Sequence, residues 1–370
     1  MKNIFLEQHI KRLKNKRILI VPLDWGIGHA TRCVPIIKLL LSNQNEVIIA
    51  SSGEALAFLQ REFPKQTFLK WNSYNIRYSS SKTQIWAMLS QSPKILWNIY
   101  KEHKKLKTII KRGKIDVIIS DNRFGLWNSS VESIYITHQI MIKMPLQLKF
   151  FEPLLYSFHK RIIEKYDHCW IPDLEGENNL SGDLSHKYPL PKNSVFIGFL
   201  SRFEKKEFTQ KSPFQNLILI SGPEPQRTIF EKEMIEKFKS EQEETIIVLG
   251  KPTNKDSQKI GNITIKSHLK SDDLAFLIQT TPNIFCRSGY STLMDLSVFG
   301  KKATLVPTPG QTVHQHHPYA QTAHCPPAYS SPLWLCVPDR QMSCRCSRCP
   351  GRCPPGASSA RWPRCPPRRG

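Results

Sequence analysis

At 370 residues and 40% hydrophobic composition, the chain is long enough for about two domains with buried cores. Its formal charge of +23 favours anionic partners: nucleic acid, acidic lipid headgroups or phosphorylated substrates. No run approaches eighteen apolar residues, which excludes a membrane-spanning helix, and Met1 to Lys16 is a short basic extension without the apolar core or cleavage site of a secretory signal, so a cytoplasmic protein is expected.

The first element is Arg17 to Val21, basic then apolar, the pattern of a parallel strand buried on both faces. It runs into Asp24-Trp25-Gly26-Ile27-Gly28-His29-Ala30-Thr31-Arg32, where the glycines let backbone approach a ligand. From His29 to Leu41 the apolar spacing is helical. This corner lacks the third glycine of a dinucleotide fingerprint, and no acidic residue ends the second strand, Val47 to Ala50. A plain NAD-binding reading therefore fails.

Further strands are expected at Thr67 to Trp71, Ile115 to Ser120, Ser133 to Thr137, His168 to Pro172 and Val195 to Gly198. Helical runs intervene at Gly53 to Arg61, Pro93 to Arg112 and Phe151 to Lys165. Two polar residues follow these strands where a ligand would sit: Asp121, in Ile118-Ile119-Ser120-Asp121-Asn122, and His138. The lysines between Lys101 and Lys114 read as a solvated helix face, and no nucleic-acid module accompanies them.

After a charged stretch, Ser201 to Ser212, the alternation restarts at Asn216 with Leu217-Ile218-Leu219-Ile220 and a helix from about Gln226 to Ser240. Ser221-Gly222-Pro223-Glu224, followed by Arg227, lies between that strand and helix and offers backbone amides to a phosphate. Strands at Thr245 to Leu249, Ile263 to Lys266 (with His268 and Leu269 just beyond) and Asn283 to Cys286 complete the half. The last leads into Arg287-Ser288-Gly289-Tyr290-Ser291-Thr292-Leu293-Met294-Asp295, a small-residue turn at a helix N-terminus, with Asp295 placed for a ribose diol. Strand–helix alternation implies parallel sheets covered on both faces, hence an α/β chain of two Rossmann-like halves facing a cleft. The plainer reading stays open at each position: His29 as a helix cap or phosphate contact, Asp121 as a turn cap, His138 as a satisfied core or loop residue.

Composition changes after Thr312. From Val313 onward there is no lysine, and the tail carries eight arginines, one acid (Asp339), eleven prolines and seven of the ten cysteines. So much proline with so little Ile, Leu and Val cannot pack a core, and the segment reads as disordered, the product of a frameshift or a misjoined gene. A zinc knuckle from Cys344, Cys346, Cys349 and Cys353 is disfavoured, because only Cys346 and Cys349 have Cys-x-x-Cys spacing. Cys33, Cys169 and Cys286 sit singly in apolar settings and read as reduced core residues. The tail accounts for +7 of the charge and leaves +16 on the body.

From Arg17 to Gly310 the chain resembles a two-domain glycosyltransferase of the GT-B fold, similar to glycosyltransferase family 28. That family includes the enzyme adding N-acetylglucosamine to the lipid-linked muramyl-peptide of peptidoglycan. The resemblance is carried by Gly26, Gly28, His29 and Arg32, by Arg287-Ser288-Gly289 with Asp295, and by Leu305-Val306-Pro307. It implies an acceptor-binding half at 17–200, a linker at 201–212 and a nucleotide-sugar half at 213–312. It also implies a UDP-linked donor, with Asp295 on the ribose, Arg287, Ser288 and Gly289 lining the donor side, the backbone at His268 and Leu269 near the base, and Ser221 and Gly222 near phosphate or donor sugar. Gly26, Gly28, Arg32 and His138 fall to the acceptor and cleft side. His29 is the expected base and Asp121 its orienting partner, with neither metal nor cofactor and inversion at the anomeric carbon. The acceptor would be a saccharide or lipid-linked, with the protein peripheral on an anionic inner membrane face. The rivals are an epimerase acting on UDP-N-acetylglucosamine and a non-catalytic protein holding nucleotide-sugar or nucleic acid. After the Pro-Gly turn the sequence departs from the family pattern, so no role is carried onto Gln311.

Overall fold

The computed structural model describes residues 4–71, 84–144, 146–254 and 256–306. The expectations for the turn after Val306 and for 313–370, cysteine cluster included, lie outside the described residues.

The chain begins with α1 (Ile4–Arg12), then alternates β1 (Arg17–Pro22), α2 (Gly28–Ser42), β2 (Glu46–Ser51), α3 (Gly53–Glu62), β3 (Thr67–Lys70), α4 (Gln84–Gly113), β4 (Val117–Asp121) and β5 (Glu132–Ile136). A 3-10 segment at Leu146–Phe151 leads into α5 (Glu152–Ile163), β6 (His168–Ile171), the single turn α6 (Asp183–His186) and β7 (Ser194–Phe196). The second half contains β8 (Asn216–Leu219), α7 (Gln226–Lys239), β9 (Thr245–Val248), β10 (Ser257–Ile260), β11 (Ile263–Lys266), α8 (Ser271–Thr280), β12 (Asn283–Arg287), α9 (Tyr290–Phe299) and β13 (Thr304–Val306).

Two sheets result. The first has seven parallel strands in the order β3-β2-β1-β4-β5-β6-β7; the second has six, β10-β11-β9-β8-β12-β13. In both, the order reverses beside the first strand of the half, so loops diverge there and leave a crevice at the carboxyl ends. β10 departs from the parallel pattern, pairing antiparallel with β11 at the sheet edge. Its sequence, Ser-Gln-Lys-Ile, has no apolar alternation, which is why sequence periodicity misses it.

The buried strands read as expected because both faces are covered. Ile18 to Val21 are fully buried, as are Ile118 and Ile119. One face of the first sheet packs under α1, α2 and α3, and the corresponding apolar cluster runs on without a break into the residues of α8 and α9. The opposite faces are covered by α4 in the first half and α7 in the second. No helix among the described residues is long and apolar enough to cross a membrane.

The N-terminal extension is an ordered helix rather than a bare basic arm. Leu6, Ile10 and Leu13 recur at i, i+4 and i+7 and are buried against the first sheet's core, while the basic residues face outward. Asn43 fixes the junction by donating from Nδ2 to the carbonyls of Ile10 and Leu13, both at 2.7 Å. The abundance of Lys, His and Arg conceals three well-spaced apolar residues, each contributing about 1.5–3 kcal/mol by burial.

Candidate functional site

Three consecutive strands of the first sheet bring its polar residues together. Asp121 ends β4 and pairs in register with Pro22 at the end of β1. His138 lies two residues beyond Ile136, the β5 partner of Asp121. α2 starts directly after the β1 loop, so His29 and Arg32, three apart, lie on one helical face above Asp121. The loop before them needs Gly26, whose φ of +74° strains any other residue.

Asp121 is fully buried and is the hub. His29 Nδ1 lies 2.9 Å from its Oδ1. Arg32 donates from Nε to Oδ2 at 2.7 Å and from Nη2 to Oδ1. Arg32 Nη2 also comes within 2.9 Å of His29 Nδ1, but that nitrogen cannot both donate to the carboxylate and accept from the guanidinium. The full negative charge of Asp121 decides the tautomer: Nδ1 carries the proton and Nε2 is left as the basic nitrogen. Burial would raise the Asp121 pKa, yet Arg32 and His29 hold it well below the usual carboxylate range. For His29, burial lowers the pKa more than Asp121 raises it, with Arg32 adding to the lowering, so the ring is neutral at pH 7.

Arg32 is not a cleft-lining group as the acceptor-side expectation had it. Its side chain is 1% exposed and is committed to Asp121 and, through Nη1 at 3.0 Å, to His138 Nδ1. Burial disfavours its charge, but Asp121 more than offsets this and raises its pKa. His138 is likewise held, its ring stacked on Tyr290 of α9 with centroids 3.9 Å apart. Tyr290 donates to the Pro172 carbonyl at 2.7 Å. His29, by contrast, keeps 17% of its side chain exposed.

α9 therefore faces the first half directly. Ser291 Oγ donates to the Gly28 carbonyl at 2.9 Å. A Cβ on Gly28 would lie 3.0 Å from that Oγ, so any larger residue there would press on the Ser291 hydroxyl. The early histidine corner and the Ser288-Gly289 corner thus meet.

In the second sheet β8 and β12 are neighbours, so the turns after them are adjacent. A Cβ at Gly289 would stand 3.8 Å from Ser221 Oγ. Gly289 precedes α9 and no side chain caps the helix there, leaving its first amides for an anion. α7 differs: Glu224 accepts from the Thr228 amide at 3.2 Å and its hydroxyl at 2.8 Å, and from Arg227. The carboxylate thus occupies that helix start, and Ser221 and Gly222 lie before it in the turn.

Arg287 ends β12. It is 4% exposed and its guanidinium lies 4.3 Å from the Phe230 ring, on the α7 face of the sheet. Asp295, one turn beyond Ser291 on α9, accepts from Ser201 Oγ at 2.5 Å. Burial lifts its pKa to about 6, and attraction to Arg202 only partly opposes this. Arg202 is 7% exposed, stands 5.0 Å over Phe58, and among the described residues has no hydrogen-bond partner at Nε or Nη1. His268, edge-on to Phe58 at 5.9 Å, has a pKa lowered to about 4 by burial and by Arg202 and Arg61. Ser201 and Arg202 were missed because the stretch is charged and reads as linker; only the fold turns it against α9.

No family model matches the chain. An uncharacterized glycosyltransferase of Methanosarcina acetivorans is 22% identical over 319 residues, 80% of each chain. Among solved structures, the glycosyltransferase of kitacinnamycin superposes with a TM-score of 0.52 at 13% identity, covering 80% of this chain and 82% of its own. The spinosyn rhamnosyltransferase SpnG gives 0.50 at 12%, covering 80% and 81%.

The chain has the GT-B fold. The solved structures share its fold, and in sequence the chain is similar to an uncharacterized glycosyltransferase. In GT-B terms, the His29–Asp121 pair belongs to the N-terminal lobe, and the uncapped α9 with the Ser221 turn to the C-terminal lobe.

Proposed function

We propose that the protein is an inverting, metal-independent glycosyltransferase using a nucleoside diphosphate-sugar, UDP-linked in the first instance. The observation that carries this reading is the part-exposed His29 paired with the buried Asp121, set at the contact between two nucleotide-fold lobes opposite an uncapped helix N-terminus. His29 Nε2 takes the proton of an acceptor hydroxyl as its oxygen attacks the anomeric carbon. The bond from that carbon to the leaving phosphate oxygen breaks, and the diphosphate departs toward the α9 amides, Ser288, Gly289 and the Ser221-Gly222 turn. Asp121 keeps Nδ1 protonated and stabilises the imidazolium that forms. Asp295 accepts from the ribose hydroxyls, and the backbone at His268 and Leu269 meets the base. SpnG has also been crystallised with thymidine diphosphate, so TDP-sugars belong in the donor panel.

The acceptor falls to the N-terminal lobe, and a lipid-linked one is favoured by that lobe's surface. Phe150, Leu154 and Phe158 are 71%, 64% and 50% exposed near Lys143 and Lys160, and Leu96, Trp97 and Tyr100 stand out among the lysines of α4. Apolar residues rimmed by cations suit an anionic bilayer. The deciding experiment measures nucleotide release from a panel of UDP- and TDP-sugars, with and without saccharide and lipid-linked acceptors. Release that depends on acceptor and disappears in His29→Ala supports the proposal. Turnover of UDP-N-acetylglucosamine without any acceptor would instead identify an epimerase.

A further inference from the structure

At the other end of the first sheet, far from His29, three ligand-type side chains converge. His9 comes from α1, Glu132 opens β5 and His168 opens β6. β5 and β6 are neighbours with Ile134 opposite His168, so Glu132 and His168 emerge side by side at the strand starts. α1 lies across this edge and lowers His9 onto them. His168 Nε2 is 3.5 Å and His9 Nε2 4.0 Å from the same carboxylate oxygen, Glu132 Oε1. The two imidazole centroids are 4.4 Å apart, nearly perpendicular, and the ligand atoms all lie within 4.8 Å of one another.

We propose that His9, Glu132 and His168 form a zinc site that fastens the N-terminal helix to the first sheet. Two imidazoles and a carboxylate are a familiar ligand set for a late first-row divalent cation, whereas calcium and magnesium prefer oxygen throughout. Bonds of about 2.0–2.1 Å to a tetrahedral ion place ligand atoms roughly 3.3–3.4 Å apart. The 3.5 Å and 4.0 Å separations already approach that spacing, and small side-chain rotations close the rest. All three side chains are 21–38% exposed, which leaves a path for the ion and a fourth position for water. His9 is also steadied edge-on against Trp170, ring centroids 5.5 Å apart, so its orientation is set by packing before any ion arrives.

The site is structural rather than catalytic. It lies at the amino ends of β5 and β6, and Asp121 lies at the carboxyl end of the adjacent β4. About five residues of strand at roughly 3.3 Å each separate the two edges. Neither the expected absence of a metal at the reaction centre nor the cysteine-rich tail bears on it.

Equilibrium dialysis of the full chain against ZnCl2 tests the proposal, after alkylation of accessible cysteines so that thiols after Thr312 do not compete. One equivalent of zinc should bind and raise the unfolding midpoint. His9→Ala and His168→Ala should each weaken binding at least about tenfold, and the double variant should abolish it while UDP affinity stays unchanged. Cobalt substituted into the wild type should give visible d–d absorption without a sulfur charge-transfer band. Full-strength zinc binding in the double variant, a thiolate band, or less than a fifth of an equivalent of zinc on the wild type would each overturn the assignment.

Discussion

Asp295→Asn should stabilise the free protein while damaging nucleotide binding. Asp295 is held where burial lifts its pKa to about 6 from an ordinary 3.8, so above neutrality the fold carries an unfavourable carboxylate. A difference of about 2 in pKa corresponds to about 3 kcal/mol. Because the folded value is raised, the folded state binds the proton more tightly than the unfolded chain. Its contribution to stability is complete below pH 3.8 and is lost as pH rises through about 6. Asparagine is nearly isosteric and can still accept from Ser201 Oγ, so the change removes charge and little else. Urea unfolding of both proteins at pH 8 should show the variant about 3 kcal/mol more stable, with the gap closing toward pH 4. Calorimetry at pH 8 should show UDP binding weakened by roughly 1.5–3 kcal/mol, the worth of hydrogen bonds to a charged group. A variant no more stable than wild type at pH 8, or a gap independent of pH, refutes the electrostatic account.

His29→Ala should lower turnover roughly 10²–10⁴-fold with UDP affinity intact, and normal turnover would reject it as the base. Wild-type kcat/KM should be level above pH 7 and fall on acidification with an apparent pKa below 6.5, because only the neutral ring accepts a proton and burial lowers its pKa. Asp121→Asn should cost about 3–5 kcal/mol in urea unfolding, since it strands the buried Arg32 charge; a loss of activity without a loss of stability contradicts the hub geometry. Gly28→Ala should reduce turnover by crowding Ser291 Oγ, and adding Ser291→Ala should recover part of it by removing the atom 3.0 Å away; strictly additive losses would show that the lobes do not meet there.

Much of the fold is legible in the sequence because parallel strands covered on both faces are written as short apolar runs. Ile18 to Val21 and Ile118-Ile119 are fully buried, and each was recognisable without neighbours. What failed was local signal in unusual settings: β10 is polar because it sits at an edge, and α1 hides three core residues among basic ones.

The site divides along the same line. Short-range features, the glycines at 26 and 28, His29 as helix α2 begins and the small turn before α9, follow from sequence because turn geometry and helix polarity act over a few residues. The partners do not. That Asp121 reaches His29 across 92 positions, that Arg32 turns inward to hold it, that His138 stacks on Tyr290 and that Ser201 closes on Asp295 were decided by strand order and by the packing of α2 against α9. Burial lowers the His29 pKa and raises that of Asp295, while Arg32 and His29 keep Asp121 ionised against it, and both effects exist only once the distant elements have come together.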